Sequence, residues 1–347
     1  MRAAVTMAPG VIEVTSVADP SAPGPGEVLL RPELVGVCGS DLHLFDGHLP
    51  DAPKRGGSPY PVIQGHEICA VVEALGEATA PTGLSIGDRV AVWPLTSCGS
   101  CYPCRVGRAS VCDAFRLLGV HVDGGLAEQL VVAADHVFRI GDLSASLGAF
   151  VEPMAVAVHA AERGRVEAGE AVVVLGGGAI GQASLLAAKA RGARVLVSEP
   201  VAARRDRALA LGADEVADPA AGDLVGRARA FAGGGVSVVV DTTGAPAALR
   251  SGIEMVASAG RVVVVGISGD EATVPLGRFT EKEFDLLGSS CHERADVEAA
   301  VDVVRAAAAA LGAALGPEYA LEDAAEAFAF AGTHPERATK VLVRVTG

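Results

Sequence analysis

The stretch from Ala171 to Glu199 constrains the fold more than any other part of the chain. It reads V-V-V-L at 172–175, G-G-G-A-I-G at 176–181, an Ala/Leu-rich run, then R-V-L-V-S-E at 194–199. An unbroken apolar run of this length suits a parallel strand buried on both faces. Gly176, Gly178 and Gly181 fit G-x-G-x-x-G and open a helix over 179–191, with Ala179 and Ile180 in the same turn. The first glycine permits the tight turn. The second lets a pyrophosphate approach the backbone, and the third lets helix pack on strand. Free N–H groups and the positive end of the helix dipole face the phosphates. Glu199 ends the second strand. An acid there accepts hydrogen bonds from the ribose hydroxyls and repels a 2′-phosphate, which favours NAD over NADP.

From Glu152 onward the same alternation continues. Strands are expected at 171–175, 194–198, 236–241 and 261–266, with helices at 155–163, 179–191, 201–211, 223–231 and 245–257. A further strand at 284–288 closes the set. Strands separated by helices of this length imply a parallel, doubly wound sheet. Thr242, Gly266 and Ile267, beside the ends of two of these strands, are further cofactor-binding candidates. Residues 1–150 read differently. Short strands at 2–7, 11–17, 28–37, 68–75 and 89–93, and one ending near Ile140, are punctuated by Pro and Gly. This is a β-rich, partly barrel-like unit. The tail has helices at 296–311 and 322–331 and a last strand, 340–345, expected to return to the first unit.

Two domains are the natural division of 347 residues. The expected bounds are 1–152 with 291–347 for the β-rich catalytic domain, and 153–290 for the NAD-binding domain. A formal net charge of −14 is poorly matched to nucleic acid or an anionic membrane. The N-terminal M-R-A-A-V-T-M lacks the apolar stretch of a signal peptide, and no run approaches a membrane span. A cytoplasmic location is expected. In that compartment seven cysteines point to thiolate ligands rather than disulfides.

Cys98, Cys101, Cys104 and Cys112 form C-x2-C-x2-C-x7-C in one loop. Four thiolates so closely spaced can surround one tetrahedral ion, and zinc favours such a set. Iron–sulfur ligation also uses four cysteines. A site closed by four thiolates holds a lobe together without doing chemistry. Cys38, His66, Glu67 and Glu152 form a second, dispersed set of one thiol, one imidazole and two carboxylates, which no spacing rule links.

Taken together, these motifs resemble the zinc-dependent medium-chain alcohol dehydrogenases over essentially the whole chain. They are C-G-S-D-L-H at 38–43, G-H-E at 65–67, G-D-R-V at 87–90, the cysteine lobe, E-P-M-A-V-A-V-H at 152–159 and the glycine turn. The form of the 152–159 motif, with S-E-P and R-R after the second nucleotide-domain strand, looks most like the butanediol and polyol dehydrogenase branch. The resemblance implies a Rossmann domain beside a GroES-like catalytic domain, two zinc ions per chain, NAD, and a homodimer or homotetramer. It implies that Cys38 and His66 ligate a catalytic zinc, with Glu67 or Glu152 as the third protein ligand. It implies further that Ser40 takes the substrate's proton, that His43 passes it on, and that Arg204 lies near the adenosine ribose. The reaction implied is an alcohol made acidic by zinc, a proton carried off by Ser40 and His43, and hydride received by nicotinamide.

Departures from that branch shape the substrate expectation. Cys291, in G-S-S-C-H at 288–292, stands where polyol dehydrogenases of the branch carry an arginine. This leans toward a smaller secondary alcohol or vicinal diol, with a threonine-type amino alcohol as the alternative. Leu49, Trp93, Leu118, His121 and His292 are candidates to line the pocket. A zinc-free quinone or enone reductase would not need the cysteine lobe. A non-catalytic NAD-binding sensor would be expected to have lost a ligand, and none is lost.

Overall fold

The computed structural model describes the chain except residues 49–59, 335, 336, 338 and 347. Leu49 therefore lies outside the described residues. The chain divides into two compact units, Met1–Glu152 with Glu293–Gly347, and Pro153–His292.

The first segment is built from short strands. β1 (Arg2–Ala8) pairs antiparallel with β2 (Val11–Ser16) across the Pro9-Gly10 turn. β3 (Glu27–Gly36) alternates buried and part-exposed residues, as a half-buried strand must. Two residues beyond its end, Cys38 caps the short helix α1 (Gly39–Phe45). β4 (Val62–Ile63) pairs with β1, and β5 (Glu67–Leu75) runs antiparallel to β3 with Gly36 opposite Glu67. β6 (Arg89–Val92) continues this sheet. β7 (Leu95–Thr96) and β8 (Arg116–Leu117) pair with each other on either side of the loop that holds α2 (Tyr102–Arg105) and the four cysteines. The strand expected to end near Ile140 is two, β9 (Leu130–Ala133) and β10 (Val137–Arg139), split by a single 3-10 turn at Ala134–His136. α3 (Ala145–Ala149) follows. α4 (Val151–Arg163) then begins with Glu152 in its first turn, where a carboxylate suits the helix dipole.

The second unit carries the sheet the glycine motif demanded. Its strands are β11 (Ala171–Leu175), β12 (Arg194–Ser198), β13 (Glu215–Ala217), β14 (Val236–Asp241), β15 (Val256–Val264) and β16 (Asp285–Gly288). All pairings are parallel, in the order β13-β12-β11-β14-β15-β16. That is the 3-2-1-4-5-6 order of a Rossmann sheet, whose switch point lies at β11. α5 (Ala179–Ala190), α6 (Ala202–Ala210), α7 (Leu224–Ala232), α8 (Pro246–Met255) and α9 (Leu276–Lys282) lie between the strands. Val172, Val173 and Val174 are fully buried, and Phe231, Ile253, Met255 and Phe284 pack with the sheet in one core.

The tail returns to the first unit. α10 (Arg294–Ala306) and α11 (Ala308–Ala314) replace the single helix expected over 296–311. Then come β17 (Glu318–Ala320), α12 (Ala324–Thr333) and β18 (Leu342–Arg344). β18 pairs antiparallel with the end of β3, placing Leu342 opposite Gly36. Phe328, Leu321 and Val343 join Val28, Leu30, Ile68 and Val90 in a core made from both ends of the chain.

Candidate active site

Three side chains from two strand ends meet in the first unit. The Cys38, His66 and Glu67 ligand atoms all lie within 4.8 Å of one another. Cys38 follows β3, His66 immediately precedes β5 and Glu67 begins it, so the β3–β5 pairing brings them together. Glu67 is fully buried. Its Oε1 accepts from Lys340 Nζ at 2.6 Å, and the same ammonium donates to the Val37 carbonyl at 3.2 Å. Its Oε2 is buried without a hydrogen-bond partner. An unpaired buried carboxylate oxygen beside a thiol and an imidazole is costly unless a cation takes it. This donor set of sulfur, nitrogen and oxygen is one that zinc accepts.

Burial pushes the Glu67 carboxyl up; Lys340 pulls it back and the Glu152 charge adds to the rise. Burial opposes the Lys340 charge, yet Glu67 raises its pKa. At 2.6 Å the Lys340 and Glu67 groups offset each other's burial. Burial also disfavours a proton on His66, but Asp41 and Cys38 outweigh it and hold the imidazole well above its usual value. Surroundings that attract a proton attract a metal cation for the same reason, and a metal ligand must be the neutral ring.

Room for this carboxylate comes from a glycine. A methyl group at Gly36 would stand 2.0 Å from Glu67 Oε2. Glu152 is buried in the first turn of α4, and its charge reaches both Glu67 and Lys340, but it is not in the close ligand cluster. Ser40 Oγ lies 3.4 Å from His66 Nε2. His43 sits three residues on in α1, on the same helix face, with its ring exposed.

Three further residues serve the cluster without having been expected to. Asp41 Oδ2 accepts the Cys38 N–H at 2.9 Å, and its Oδ1 is 3.5 Å from His66 Nδ1. A carboxylate on the far side of a ligating imidazole is the usual support of a metal-bound histidine. Asp41 was legible within the C-G-S-D-L-H motif. Lys340 and Gly36 carried no local signal.

The four cysteines of the lobe also converge within 4.8 Å. Sulfur–sulfur contacts are 3.4 Å for Cys101–Cys104, 3.5 Å for Cys98–Cys112 and 3.7 Å for Cys101–Cys112. All four are free thiols, and these separations far exceed a disulfide bond. A tetrahedron of sulfurs about 2.3 Å from one zinc has edges of about 3.8 Å. Backbone N–H groups of Cys98, Cys101 and Ala114 point at the sulfurs at 3.3 Å. The Cys98 thiol is lowered to about 6, chiefly by the Ser100 and Cys101 amides, whereas burial helps push Cys104 up to about 11.

In the second unit the glycine turn is as tight as the motif requires. Gly176 has φ +97°, and a methyl at Gly181 would lie 2.0 Å from the Gly176 oxygen. Nothing stands within 4 Å of a side chain built at Gly178, so that face is open. Ala179 and Ile180 start α5. Glu199 is buried; its Oε2 accepts the Gly177 N–H at 2.6 Å and its Oε1 the Val201 N–H at 2.9 Å. Gly177 must be small, since a methyl there would meet Glu199 Cγ at 2.9 Å. Arg204 Nη1 is 3.6 Å from Glu199 Oε2. Thr242 Oγ1 caps the Leu175 carbonyl at 2.9 Å, a methyl on Gly266 would strike Gly244 N at 2.1 Å, and Ile267 is exposed.

Residues 24–142 match the model of the alcohol dehydrogenase GroES-like domain, and 179–306 that of the zinc-binding dehydrogenase. A 2-dehydro-3-deoxy-L-galactonate 5-dehydrogenase of Pseudoalteromonas atlantica is 34% identical over 91% of each chain. The chain belongs to the zinc-type alcohol dehydrogenase family. It is an alcohol dehydrogenase of the medium-chain type, with a Rossmann unit and a GroES-like unit. Among solved structures, a zinc-binding dehydrogenase of Sinorhizobium meliloti bound to NADP superposes with TM-score 0.87 at 32% identity, covering 99% of this chain and 98% of that one. The 2R,3R-butanediol dehydrogenase of Bacillus subtilis does so with TM-score 0.87 at 28% identity, covering 99% of both.

The residues expected to line a substrate pocket in this alcohol dehydrogenase are placed as follows. Trp93 is buried with its ring 4.7 Å from that of His136. Leu118 donates its N–H to the Pro94 carbonyl at 3.0 Å. His121 Nδ1 accepts the Leu117 N–H at 3.1 Å, so the neutral ring carries its proton on Nε2. His292 is fully buried and belongs to the second unit. Cys291 is half-buried in the left-handed region, φ +49°.

Proposed function

We propose that this chain is an NAD-dependent zinc dehydrogenase that interconverts a secondary alcohol, diol or polyol and its carbonyl product. The observation that carries the reading is the buried Cys38/His66/Glu67 set, with one Glu67 oxygen held by Lys340 and the other unpaired. The unit formed by 1–152 and the tail is the catalytic domain, and the unit from 153 onward binds NAD. Two zinc ions serve each chain, one at Cys38 and His66 and one at Cys98, Cys101, Cys104 and Cys112. When bound, the first supplies a Lewis acid that lowers the pKa of an alcohol and polarises a carbonyl.

The chain's own groups do the rest. Cys38 and His66 hold the metal. Either Glu67 or Glu152 completes the set, and Glu67, which already lies in the close cluster with Cys38 and His66 while Lys340 holds only its Oε1, is favoured as the resting partner. Ser40 Oγ receives the substrate's proton, and His43, exposed one turn on, returns it to solvent. The backbone around Gly176, Gly178, Ala179, Ile180 and Gly181 cradles the pyrophosphate, with Thr242, Gly266 and Ile267 nearby. Glu199 and Arg204 meet the adenosine ribose. A buried carboxylate there disfavours a 2′-phosphate, although the Sinorhizobium relative was captured with NADP. The substrates named for two relatives, a galactonate derivative and 2,3-butanediol, both offer a secondary hydroxyl beside another oxygenated carbon. A substrate of that kind is the one we favour. No helix among the described residues is long and apolar enough to cross a membrane. We place the protein in the cytoplasm, and the open edge at β16 supports a homodimer or homotetramer.

The test is NADH formation by zinc-loaded protein against secondary alcohols, 2,3-butanediol stereoisomers, sorbitol, xylitol, sugar acids and threonine, with NADP as the comparison cofactor. Turnover on vicinal diols or polyols with NAD, abolished by Cys38→Ser in a protein that still folds, is the expected result. Turnover confined to threonine, or faster turnover with NADP, would overturn the substrate or the cofactor assignment respectively.

A further inference from the structure

Behind the Cys38/His66/Glu67 set runs a buried polar chain that none of the motifs explains. Thr6 on β1, Gln64, Asp41 and His66 are each exposed by 3% or less. Thr6 Oγ1 donates to Gln64 Oε1 at 2.6 Å. Gln64 Nε2 donates to the Asp41 main-chain oxygen at 3.0 Å and lies 3.5 Å from Asp41 Oδ1. Asp41 in turn holds the Cys38 N–H and faces His66 Nδ1.

The direction of the amide is forced. A main-chain carbonyl only accepts, so the Gln64 nitrogen must face Asp41. The Gln64 oxygen is then left toward Thr6, whose hydroxyl must donate. A buried amide in an apolar core is expensive unless every bond is made, and an aliphatic side chain would fill the same space without that demand. What the amide does that an aliphatic group would not is join two segments. One is α1, which starts at Cys38. The other is 64–67, which carries His66 and Glu67. The spacing of the ligands depends on how these two segments are held together. The amide links them directly.

We propose that Gln64, locked in orientation by Thr6, is a positioning residue for the Cys38/His66 metal centre. It fixes the spacing of the two ligand-bearing segments and keeps Asp41 behind the His66 ring. This rests on the reading of that centre as a zinc site. Outer groups that orient metal ligands change affinity by about tenfold to a hundredfold when removed.

The experiment uses the zinc-loaded full chain and its Gln64→Leu, Thr6→Val and Thr6→Ser variants. Zinc release to a competing chelator is followed alongside the visible spectrum of the cobalt-substituted protein and the kcat and KM of turnover. Gln64→Leu is expected to weaken the Cys38/His66 zinc by at least about tenfold, to alter the cobalt spectrum and to lower kcat more than it changes KM. Release from the four-cysteine lobe should be unchanged. Thr6→Val should show a smaller loss of the same kind, and Thr6→Ser should restore it. If Gln64→Leu does not fold, the Thr6 pair decides. Zinc affinity within twofold of the parent, or equal loss from both centres, overturns the proposal. A parent protein whose zinc content is unmoved by Cys38→Ser overturns the metal reading itself, and this proposal with it.

Discussion

At Glu67, which clusters with Cys38 and His66, one carboxylate oxygen is bound to Lys340 and the other is buried without a hydrogen-bond partner. Removing the ammonium with Lys340→Met leaves a buried carboxylate uncompensated. The expected loss is about 3–5 kcal/mol, read by urea unfolding. Gly36→Ala sets a methyl against the free oxygen. It should lower stability by about 1–3 kcal/mol and displace Glu67, seen as loss of zinc from that centre alone. In the other unit, Glu199→Ala should raise kcat/KM with NADP relative to NAD; an unchanged ratio would show that the carboxylate does not select the cofactor. The lobe cysteines were legible from their spacing, whereas Cys38 and His66, which no spacing rule links, were legible only through the family resemblance of C-G-S-D-L-H and G-H-E. Lys340 was not, because 273 residues separate it from Glu67 and only the β3–β18 pairing brings it back. Cys69, which the motifs left without a role, is fully buried. Its thiol is pushed up to about 12 by burial, as befits a core residue.

Among the elements, those with long apolar runs were readable and the short ones were not. β11, β12 and β14 announced themselves by runs of three or four consecutive Val and Leu residues, whereas β13 and β17, three residues each, have too little pattern to register. Helix propensity misled at Ala306–Ala310, where five alanines predict continuity and the chain breaks at Ala307. Val297, Val301 and Val304 of α10 are buried, and Leu311 is the buried residue of α11. The cysteine loop shows the opposite case, an element with little apolar support of its own. Tyr102, Val106 and Val111 are exposed there. Cys101→Ser, or chelation of the lobe zinc, should therefore lower the thermal midpoint and open the loop to protease. Retained stability with lost turnover would mean that the two metal roles had been exchanged.

For the molecule as a whole, one half-buried histidine of the first unit makes stability depend on pH. His136 packs on Trp93, and burial lowers its pKa below 6.5 despite Asp135. The unfolded chain then binds more protons than the folded one. Stability from this group is full above about pH 6.5 and is lost as pH falls through the folded value. Urea unfolding as the pH is lowered past that point should show the decline, flattened by His136→Gln. The six parallel strands lie wholly within 153–292, so that segment should fold alone with a cooperative transition. The first unit has no such independence, since β18 and Lys340 come from the far end of the chain. Order of synthesis follows from this. A ribosome completes the nucleotide-binding sheet while the metal site is still unfinished, because Glu67 waits for a lysine made 273 residues later. Throughout that interval the nascent first unit lacks the strand that closes its sheet. A chain that ends a dozen residues short should therefore keep its Rossmann sheet and lack the Lys340 partner of Glu67.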